Sequence, residues 1–143
     1  MPNSPEYYFQ TAIDSINKAV ALRNDPYWED VHCEIDAAKF FEQSAQMGYT
    51  EAMMAIYIYD KKLDWFDCGL ETKSVLWLAE YIERTNLQIS ETMLFSDIVN
   101  DNLLKFISIE DLNVMRRNSD SPKVQDFCDK LERIIIQSYN SDL

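Results

Sequence analysis

The chain has 143 residues, 47% of them apolar, and 13 Lys and Arg against 25 Asp and Glu give it a formal net charge of −12. That length and apolar content suit a single domain, residues 1–143, with an ordinary core, and a disordered tail is not expected. The negative sign disfavours docking on nucleic-acid phosphates or anionic lipid and points to a basic protein partner, while two glycines and four prolines are too few turn formers for a sandwich or barrel.

An all-α fold of about seven helices is therefore expected. Ser4 and Pro5 form a helix start, serine at the cap and proline where its missing N–H costs nothing, and Phe9, Ala12, Ile13, Ile16, Ala19 and Val20 share one face as far as Leu22. Asn24, Asp25 and Pro26 predict a turn. A second helix opens at Tyr27 or Trp28, buries Val31, Ile35, Ala38, Phe41 and Ala45, and stops at Gly48. Thr50 is the expected cap of a third helix over Glu51 to Lys62, and the short connection makes the second and third helices antiparallel neighbours.

After a loop at Leu63 to Leu70, Thr72 caps a fourth helix with Val75, Leu78, Ala79 and Ile82 inward and Leu76, Trp77 and Tyr81 widening the stripe. Ser90 is read as the cap of a fifth helix, Glu91 to Ile107, with Leu94, Phe95, Ile98, Val99, Leu103 and Phe106 inward, although Asn100, Asp101 and Asn102 interrupt it. Ser108 with Asp111 three residues on opens a short helix ending near Asn118. Ser121 and Pro122 open the last, where Val124, Phe127, Cys128, Leu131, Ile134 and Ile135 trace a buried stripe and Asn140 to Leu143 fray.

Cys33, Cys68 and Cys128 are an odd, unpaired set that makes a poor disulfide framework, so a reducing, cytoplasmic home is expected. The N-terminus lacks the basic and apolar regions of a leader, and no apolar run approaches the roughly 18 residues of a membrane span.

Setting AKFFEQSAQMGYTEAMMAI beside VLWLAEYIERTNLQISETML aligns Phe41 with Leu78, Ala45 with Ile82 and Met53 with Met93, so degenerate repeats are expected at about 28–62 and 71–107. SAQMGYTEAM resembles the helix junction of Sel1-like repeats, a branch of the tetratricopeptide superfamily, through Ser44, Ala45, Gly48, Glu51 and Ala52. Tyr57 departs from the family's glycine, and the second copy replaces the small pair with Tyr81 and Ile82 and the glycine with Thr85. The resemblance implies antiparallel helix hairpins stacked as a short TPR/Sel1-like array, serving as a non-enzymatic scaffold for other proteins.

Catalytic sets are missing. His32 is the sole histidine, and the adjacent Cys33 points about 100° away around a helix, which does not suit a thiol–imidazole pair. There is no glycine-rich phosphate loop, calcium loop or Cys-x-x-Cys pair, and Asp97 and Asp101 read as solvated charges, so neither enzyme activity nor any cofactor or metal is expected.

Two segments combine acids with aromatics: Tyr27, Trp28, Glu29, Asp30 and Glu34 at the start of the second helix, and Asp64, Trp65, Phe66 and Asp67 at the exit of the third. An antiparallel hairpin brings them to one end, where rings supply area and cation–π contact while carboxylates attract and orient a basic partner. The expectation is an acidic protein-binding domain, a bacterial immunity or antitoxin-like inhibitor that occludes a basic toxin. The alternatives are a TPR-like adaptor or secretion chaperone holding an extended peptide, and a carboxylate-dependent enzyme.

Overall fold

A computed structural model describes residues 3–23, 29–65, 69–70 and 73–141, with only the backbone of Glu29 and Ser141. The turn at Asn24 to Pro26, the helix start at Tyr27 or Trp28, the Thr72 cap and the last two residues lie outside that set. Every regular element among the described residues is helical: seven α-helices and one 3-10 turn. None of these helices is long and apolar enough to cross a membrane. The chain divides into two compact units, residues 1–77 and 78–143.

In the first unit, α1 (Pro5–Ala21) starts as expected, with extended Ser4 accepting the Tyr7 N–H on Oγ at 3.1 Å and Pro5 at the first helical position. It buries Ala12, Ile16 and Ala19 against α2 (Glu29–Gln46), whose own buried stripe is Cys33, Ala37, Phe41, Ser44 and Ala45. The two helices are antiparallel, because Ser44 Oγ donates to the Pro5 carbonyl at 2.7 Å while Tyr8 stacks on Phe40 and Phe9 meets Phe41 edge-on. That register sets Ala12 opposite Ala37, so the close crossing of small side chains lies between α1 and α2.

Gly48, at φ 90°, ends α2 in a conformation that costs glycine little, and its N–H bonds back to the Ala45 carbonyl at 2.9 Å. The chain turns directly into α3 (Thr50–Leu63), and Phe41 stacks on Tyr59 with centroids 5.5 Å apart. Thr50 is not the cap. Tyr49 holds that position with no side-chain hydrogen bond, and Thr50 is the first helical residue. α3 ends at Asp64, which adopts a left-handed φ of 50° and donates its N–H to the Asp60 carbonyl. α4 (Ser74–Arg84) is pinned at its start by buried Ser74, whose hydroxyl donates to Asp60 Oδ2 at 2.5 Å. The division between the units falls within α4, after Trp77.

The second unit departs from the sequence reading in two places, at Asn140, expected frayed but helical, and between Glu91 and Ile107. The helix expected over Glu91 to Ile107 is instead α5 (Phe95–Val99) followed by a 3-10 turn (Leu104–Phe106). Ser90 Oγ bonds Thr92 and caps no helix. Asp97 takes the Leu94 N–H at 2.8 Å, and Asp101 takes both the Leu103 and Leu104 N–H groups at 2.8 and 3.0 Å. These short acidic side chains capture the backbone donors that a continuous helix needs, which breaks it.

The remaining helices start as the sequence indicates. Ser108 and Asp111 bond each other's backbone N–H at the head of α6 (Ile109–Asn118). Ser121 Oγ accepts the Val124 N–H at the head of α7 (Pro122–Ser141). α7 continues regularly through Asn140, and its stripe from Val124 to Ile135 is buried as predicted. Arg116 joins α6 to α7 by donating to the Cys128 carbonyl and to the Glu132 carboxylate. Lys123 ties α7 to the end of α4 through the Thr85 carbonyl at 2.6 Å.

Candidate partner-docking surface

Of the nine residues singled out from the sequence, Tyr27, Trp28, Phe66 and Asp67 lie outside the described residues. Glu29 opens α2, and Asp30 and Glu34 follow one turn apart, both half-buried. Asp64 is exposed in its left-handed turn, and Trp65 next to it is wholly buried. The indole therefore belongs to the core of the first unit. Its Nε1 has no hydrogen-bond partner among the described residues.

Antiparallel pairing carries the described acids to one end of the hairpin. From the Phe41–Tyr59 stack, Glu34 lies about 10 Å back along α2 and Asp64 about 8 Å onward along α3, in the same direction. Helix electrostatics treats them unequally. Asp30, in the first turn of α2, is favoured by the helix dipole, whereas Asp64 follows the last turn of α3, where negative charge is disfavoured and Lys61 and Lys62 supply the compensation. Asp30 and Glu34, at like charge one turn apart, cost a few tenths of a kcal/mol.

His32 is exposed on α2 while Cys33 faces the core, the divergence expected of adjacent helical positions. Among the described residues no three His, Cys, Asp or Glu side chains cluster as metal ligands. Cys33 and Cys128 are free and buried, and burial pushes the Cys128 thiol up to about 11, with Asp129 and Glu132 adding to the rise and Arg116 opposing it.

One set of surface residues is missed by the sequence reading. Leu94, Phe95 and Val99, expected inward on a long helix, are exposed at 65, 40 and 45% because α5 is too short to bury more than Ile98. The signal lay in the Asn100–Asn102 run, which marks where the helix fails. Comparison of the chain with protein-family models, with curated proteins and with solved structures returned no match.

Proposed function

We propose that the chain is a non-enzymatic, acidic protein-binding domain that occludes a basic toxin, in the manner of bacterial immunity and antitoxin proteins, on a Sel1-like hairpin scaffold in the cytoplasm. The observation that carries this reading is the acidic end of the α2–α3 hairpin, where Asp30, Glu34 and Asp64 stand together on a chain of net charge −12. Free, buried Cys33 and Cys128 suit a reducing compartment.

The test replaces these acids by their neutral isosteres, Asp30→Asn, Glu34→Gln and Asp64→Asn, which keep shape and tolerate the same backbone. Affinity capture with the parent chain retains a basic protein whose own activity is blocked at equimolar ratio, and raising salt from about 0.05 to about 0.5 M slows the association several-fold. The triple variant keeps the parent's helicity and melting but binds at least about tenfold more weakly. A captured partner that stays active, or binding indifferent to both salt and the substitutions, overturns the reading.

A further inference from the structure

We draw no further inference here: the strongest candidate, the open apolar groove of about 420 Å³ between α5, the 3-10 turn, the start of α6 and the last turns of α7, is lined by one acid, Glu110, and one base, Lys105, and nothing in the structure shows what covers it.

Discussion

Cys128 illustrates how burial fixes the chemistry of a single residue. Enclosed on α7 with no exposed surface, its thiol is held protonated up to about 11 against an ordinary 9.0, chiefly by loss of hydration. The folded chain then binds this proton more tightly than the unfolded chain does. The resulting stabilisation is complete below pH 9, declines as the unfolded thiol ionises, and is gone once pH passes through about 11. Urea denaturation at a series of pH values should show the stability gap between the parent and Cys128→Ala narrowing across that window. A constant gap would remove the claim. Trp65 illustrates the opposite difficulty: an aromatic beside acids reads as a surface anchor in sequence, and only the packing at the exit of α3 reveals that its ring points inward while its neighbour Asp64 points out.

At the scale of elements, α6 and α7 depend on the Arg116 fork. Its guanidinium bonds the Cys128 carbonyl at 3.1 Å and the Glu132 carboxylate, while its Nε stands 3.2 Å from Asp129 without hydrogen-bond alignment. With four-fifths of the side chain buried, Arg116→Met should cost about 2 kcal/mol in chemical denaturation, and Arg116→Lys should recover less than half of it because one ammonium nitrogen cannot also replace Nη1 at Asn113 and Nε beside Asp129. Equal stability of the lysine variant and the parent would show that charge alone matters. The starts of α1, α6 and α7 are legible in sequence because Ser4–Pro5, Ser108–Asp111 and Ser121–Pro122 act within one turn, where no distant contact can overrule them. The segment after Ser90 is not legible in the same way. Its apolar spacing fits a long helix, and the outcome turns on which backbone N–H groups Asp97 and Asp101 capture. The exposure of Leu94, Phe95 and Val99 follows from that break, and so escapes a reading based on periodicity.

For the whole molecule, the excess of carboxylates is the dominant property. At −12 over 143 residues, self-repulsion opposes the folded state at neutral pH and weak screening. Thermal unfolding at pH 7 should therefore shift upward by a few degrees when salt rises from about 0.01 to about 0.2 M, as the Debye length shrinks from about 30 Å to below 10 Å. A melting temperature that falls with salt would mean that attractive pairs such as Arg116–Glu132 outweigh the repulsion. Solubility should reach its minimum near the sequence pI of 4.3.

The turn at Asp64 has a consequence for any effort to improve the protein. Glycine relaxes a φ of 50° and removes a charge from the unfavourable end of α3, so a screen for heat tolerance selects it readily. The same exchange erases one of the three acids at the proposed docking end. If that end docks a partner as proposed, thermal selection and partner selection pull this position in opposite directions.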